Sequence, residues 1–259
     1  MSTPGIVVAP PPPVHASRRG SVFPDRLFYV VAAGLMLILT AVGFRAFYLH
    51  GRAFGGGHIT SEIVPLVVAH GIAMSGWAVL FFVQSVLILT GKRRLHMVAG
   101  PAGGVVAAGN VVLGAAVAVL SVRWNPDIYR PFGGPEFFLA QMLTSMAAFG
   151  ILVGVGLRYR RQAEIHRPMM LLATVVTMSG SLGRFPYVAN LAPLAPLYIH
   201  GPTLLFGGLL LLLQWGMSGA PSRWYAAGYV ALALVFCVAL AVGSSAAWAA
   251  LVAALVLRP

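Results

Sequence analysis

Seven stretches of the chain are apolar over lengths that match a lipid bilayer, and no other feature restricts its fold as tightly. Crossing about 30 Å of hydrocarbon takes about 20 residues of helix. Runs of that order cover 27–48, 63–90, 95–122, 136–157, 167–187, 197–217 and 224–242. Backbone groups in hydrocarbon must satisfy one another, so such runs fold as helices. With 59% hydrophobic and 8% charged residues, the chain is too apolar for a water-soluble domain. The expectation is an all-α membrane protein, a bundle of about seven transmembrane helices over residues 25–242. Residues 1–24, with Pro10–Pro13 and Arg18-Arg19 but no cleavable apolar core, are expected to form a disordered cytoplasmic tail. The first span then acts as an uncleaved signal anchor. After Gly243-Ser244-Ser245, residues 243–259 are apolar for only about half a span, so they form an interfacial segment or extend the last helix.

The formal net charge is +12, yet the basic residues mark topology and not a nucleic-acid surface. Eleven of the 17 fall on one side of the alternating spans, among them Lys92, Arg93, Arg94, Arg158, Arg160 and Arg161. The other side holds six, with three of the five acids, Glu62, Asp127 and Glu136. The positive-inside rule therefore predicts a cytoplasmic N-terminus. The single cysteine, Cys237, permits no intramolecular disulfide.

On this topology four histidines sort into two levels. His70 and His200 lie toward the outer ends of spans 2 and 6, and His96 and His166 open spans 3 and 5 on the inner side. The levels are separated by roughly 20 Å, from 14 helical residues at about 1.5 Å each. Imidazole in a bilayer segment is costly and calls for a partner or a ligand. Seven-residue steps keep one helix face turned inward in a left-handed bundle. His70, Trp77 and Gln84 follow such steps, as do His200, Gly207 and Gln214, His96, Gly103 and Asn110, and His166, Ala173 and Gly180. The small residues on these stripes leave room for a flat, bulky group such as a porphyrin. They serve equally for helix packing, as small-xxx-small patterns do. His96 and His166, flanked by arginines, also read as headgroup-facing side chains, whereas His70 has no charge nearby. Trp77 and Trp224 read as packing and interfacial residues.

Several classes are excluded by what the sequence lacks. It contains no Walker loop, CxxC metal site, HExxH or GxSxG elbow. Carboxylates are nearly absent from the spans, which removes the usual relay of a proton-coupled transporter. In the outer loop, His50 and His58 flank Gly55-Gly56-Gly57 close to His70, a set that fits a copper or zinc ion.

The run His70-Gly71, Trp77, Leu80, Gln84, Leu87, Gly91, Leu95-His96 and Gly100 resembles an uncharacterised bacterial family of seven-span membrane proteins. His166-Arg167-x-Met169-Met170 followed by Arg184 resembles the same proteins and the related domain-of-unknown-function 2306 group, and Phe47-Tyr48 fits as well. The resemblance covers about residues 27–217 and implies a seven-span fold in a bacterial cytoplasmic (inner) membrane, without an activity. The alternation of histidines between faces is similar to that of cytochrome b561-type and ferric-reductase-type proteins, although each span here carries one histidine where quinol-oxidising cytochromes b carry two.

Three functional readings follow. One is a b-type cytochrome with bis-histidine haem b, His70 with His200 and His96 with His166, exchanging electrons with a quinone or another redox partner. Another is a non-catalytic membrane subunit or small-molecule-binding protein, associated with other subunits, whose polar interior of Trp77, Gln84, Asn110, Arg184 and Gln214 is structural. A third is the outer-mouth metal site. In all three the bilayer is the main environment and nucleic acid is no partner.

Overall fold

The computed structural model describes residues 22–52, 59–185 and 194–257. Every regular element among them is helical: α1 Val22–Gly43, α2 Arg45–His50, α3 Val64–Leu89, α4 Arg93–Trp124, α5 Pro135–Arg158, α6 Ala163–Leu182, α7 Ala195–Ser218, α8 Arg223–Gly243 and α9 Ala246–Leu255. Short 3-10 turns, Ser61–Ile63 and Pro126–Phe132, precede α3 and α5. Prolines stand in the first turns of α3, α5 and α7, where the missing N–H costs nothing. α7 stops at Gly219, whose φ of 75° suits glycine at a helix end.

Contacts between helices remote in sequence fix the directions of α1, α6, α7 and α8, and short connections reverse the chain between the others. Asp25 at the start of α1 pairs with Arg167 at the start of α6, and Gly43 at the end of α1 meets Ser181 at the end of α6. The Tyr198 hydroxyl on α7 donates to the Gly183 carbonyl just beyond α6, and Arg223 opening α8 faces Glu164 opening α6. The seven long helices thus alternate in direction. One end of the bundle carries Lys92–Arg94 and Arg158–Arg161, a basic end, and the other carries Asp127 and Glu136.

Six of the long helices, all except α6, are long and apolar enough to cross a membrane. The expected fifth span, 167–187, differs for a physical reason. α6 packs against α1, α5, α7 and α8 and buries Leu171, Leu172, Ala173, Thr174, Val175 and Val176 in succession, so no broad face of it needs to be apolar for lipid. Thr174, Thr177, Ser179 and Ser181 return their hydroxyls to carbonyls three or four residues back. The outer helices show the opposite pattern. Val98, Val105 and Val112 on α4 and Ile72 and Val79 on α3 are exposed, two residues out of step with the stripes His96-Gly103-Asn110 and His70-Trp77. Apolar surface of that extent belongs against lipid, and the inward stripes expected from seven-residue spacing face the interior.

The core runs the length of the bundle. Phe28, Met36, Leu171 and Tyr225 fill the basic end, Trp77, Phe149, Val176 and Phe236 the middle, and Val122, Tyr129, Leu139 and Val252 the far end. The C-terminal segment does not extend α8. Ser245 breaks the chain and caps α9 by accepting from the Trp248 backbone N–H at 3.3 Å, and the Trp248 indole then donates to the Glu136 carbonyl at 2.7 Å. α9 is therefore a separate helix docked on the start of α5.

Candidate functional site

At the basic end, the first turns of α4 and α6 bring His96 and His166 together. Their ring centroids are 6.3 Å apart with planes at 83°. His166 Nδ1 lies 2.8 Å from the Gly156 carbonyl at the end of α5; the nitrogen is the donor, which leaves Nε2 as the free ring nitrogen. The His96 ring lies near the Gln84 backbone, and its buried Nδ1 has no formed hydrogen bond. The side-chain amide of Gln84 is buried with neither its oxygen nor its nitrogen partnered. Buried amides are ordinarily satisfied, so this end of α3 carries unused hydrogen-bonding capacity beside the histidine pair.

At the far end His200 and His70 have different immediate surroundings. His200, 2% exposed, stacks on Phe236 with centroids 3.8 Å apart and planes 9° from parallel. Its Nε2 lies 2.9 Å from Gln141 Oε1. The Gln141 amide nitrogen donates to the carbonyls of Ala239 and Phe137 at 3.0 and 3.3 Å, which turns its oxygen toward His200. His200 is thus the Nε2–H tautomer, with Nε2 committed to Gln141 and a buried Nδ1 that has no hydrogen-bond partner. Nothing in the sequence near Gln141 marks it for this role; only its place on an apolar helix gives a hint.

His70 lines a cavity of about 300 Å³ between α1, α3, α4, α5 and α6. Its Nδ1 is buried without a partner. Gly114 makes the approach possible, because a Cβ there would meet Met146 Sδ and the His70 ring. Arg184 reaches the cavity wall with its guanidinium 4.1 Å from the centre of the Phe44 ring and donates to the Gly180 carbonyl. Tyr129, on the turn over the cavity, donates to Ser121 Oγ at 2.9 Å; burial holds its phenol above the ordinary value, so it stays a neutral donor.

The remaining polar positions tie helices together. Trp77 donates to Thr174 Oγ1 at 3.3 Å and meets Phe149 edge-on. Asn110 donates to the Ala73 carbonyl at 3.2 Å. Gln214 accepts from the Ser222 N–H at 3.0 Å and so closes the turn from α7 to α8. Of the outer-loop metal set, His50 ends α2 and His58 lies outside the described residues. Among the described residues, no group of three or more His, Cys, Asp and Glu is placed to hold a metal ion. Comparison of the chain with protein-family models, with curated proteins and with solved structures gives no match.

Proposed function

We propose that the chain is a seven-span electron-transfer protein of a bacterial cytoplasmic membrane, with its N-terminus inside and one haem b held by His96 and His166. The observation that carries this reading is the pairing of those two imidazoles. Two histidines sharing one metal at about 2 Å from each coordinating nitrogen have ring centres about 6 Å apart, which agrees with the 6.3 Å found. The Gly156 carbonyl orients the His166 ring, as outer-shell acceptors do for metal-bound histidine. Lys92, Arg93 and Arg94 are exposed beside His96 and suit the carboxylates of a haem edge. Haem iron when bound exchanges single electrons between its ferrous and ferric forms. The chain's own part is to supply two neutral imidazoles, a basic rim and an apolar surround. The enclosed helix α6 serves as the fifth of the seven spans.

Protein purified from haem-supplied cells should show a Soret band that sharpens and shifts on reduction. His96→Ala and His166→Ala should each abolish that low-spin spectrum, while His200→Ala should keep it. A folded but colourless protein overturns the proposal. A non-catalytic membrane subunit is the second reading, favoured by the way Trp77, Asn110 and Gln214 spend their polar groups on joining helices.

A further inference from the structure

The cavity at the far end is lined by an unusual set of donors. His70 and Met74 stand four residues apart on α3, and Met142 and Met146 stand four apart on α5. Four-residue spacing puts each pair on one helix face, and all four residues line the same cavity. The Met146 sulfur and the His70 ring both come within 3.0 Å of the point that a Gly114 Cβ would occupy, so they face each other over less than twice that distance. The imidazole keeps a buried Nδ1 that no protein group satisfies.

We propose that this cavity binds one monovalent copper ion through the His70 imidazole and the Met146 thioether, with Met74 and Met142 completing the donor set. Thioether sulfur is a soft ligand that selects Cu(I) over harder ions, and imidazole complements it. The lining contains no Asp, Glu or Cys, so the anionic donors that zinc or Cu(II) would draw on are missing. Arg184 on the same wall acts in the same direction, because its repulsion of a divalent ion is twice that of a monovalent one. All four donors are neutral, which suits a singly charged ion in an apolar enclosure. Methionine as a packing residue accounts for the sulfurs but not for the unsatisfied imidazole among them.

The test is anaerobic titration of the purified full-length protein in detergent with Cu(I) held by bicinchoninate, a coloured competitor. The expected result is withdrawal of one equivalent of copper, with sulfur and nitrogen scatterers in its X-ray absorption spectrum. Met146→Leu preserves volume and should fold normally, as thermal unfolding will verify, yet weaken copper binding at least tenfold. His70→Ala should do the same. Failure to compete for Cu(I), or equal affinity in wild type and Met146→Leu, overturns the proposal. His96→Ala and His166→Ala should bind copper unchanged. Loss of copper with those variants would also overturn it, and the haem proposal stands or falls separately on its own spectrum.

Discussion

Gln141 governs what His200 can do, although 59 residues separate them in the chain. Its amide spends both hydrogens on carbonyls of α5 and α8, and its oxygen holds the imidazole, so one side chain joins three helices in the buried interior. Replacing His200 by alanine should leave Gln141 Oε1 unsatisfied and lower stability by about 1–3 kcal/mol, measured by thermal or denaturant unfolding in detergent; no loss would show that the bond contributes nothing. The spacing of His200, Gly207 and Gln214 makes the inward face legible. The partner is not legible, because a hydrogen bond between remote helices leaves no local periodicity. His96 and His166 are the contrasting case: each opens a span next to a basic cluster, so the alternation of spans alone brings them to one level. The methionines of the far cavity lie between these cases, since their spacing is plain in the sequence but the approach of Met146 to His70 depends on Gly114.

Among the elements, α6 departs most from what an apolar run announces. Its hydroxyl-bearing residues depress its hydropathy, yet they bond within the helix and are covered on four sides by other helices. Periodic apolar stretches reveal helices that face lipid. A helix shielded from lipid needs a weaker signature: the run 167–187 is readable in the sequence, but only the tertiary contacts reveal its enclosure. Its seam with α1 is close: a Cβ at Gly43 would lie 2.5 Å from the Ser181 carbonyl oxygen and 2.9 Å from its Cα. Those are backbone atoms with little freedom to move, so Gly43→Ala should force the helices apart and cost about 1–3 kcal/mol. Gly109→Ala on α4, where an added Cβ meets nothing within 4 Å, provides the control. Equal unfolding temperatures for the two variants would contradict the tight seam.

For the whole molecule, the alternation of helices and the separation of charge support the proposed orientation, with the basic end in the cytoplasm. A fluorescent reporter at the N-terminus or near Arg160 should report the cytoplasm, and alkaline phosphatase fused near Asp127 should be active in the periplasm. An inactive phosphatase there, with the protein inserted, would reverse the orientation and place the methionine cavity on the inner side. The seam between α1 and α6 also has a consequence in time. Asp25 meets Arg167 across 142 residues of chain, so α1 cannot close its ion pair or seat Gly43 until α6 has been synthesised. Until then the flank of α1 that α6 covers has no partner from that helix, so this seam can close only after most of the bundle has been made.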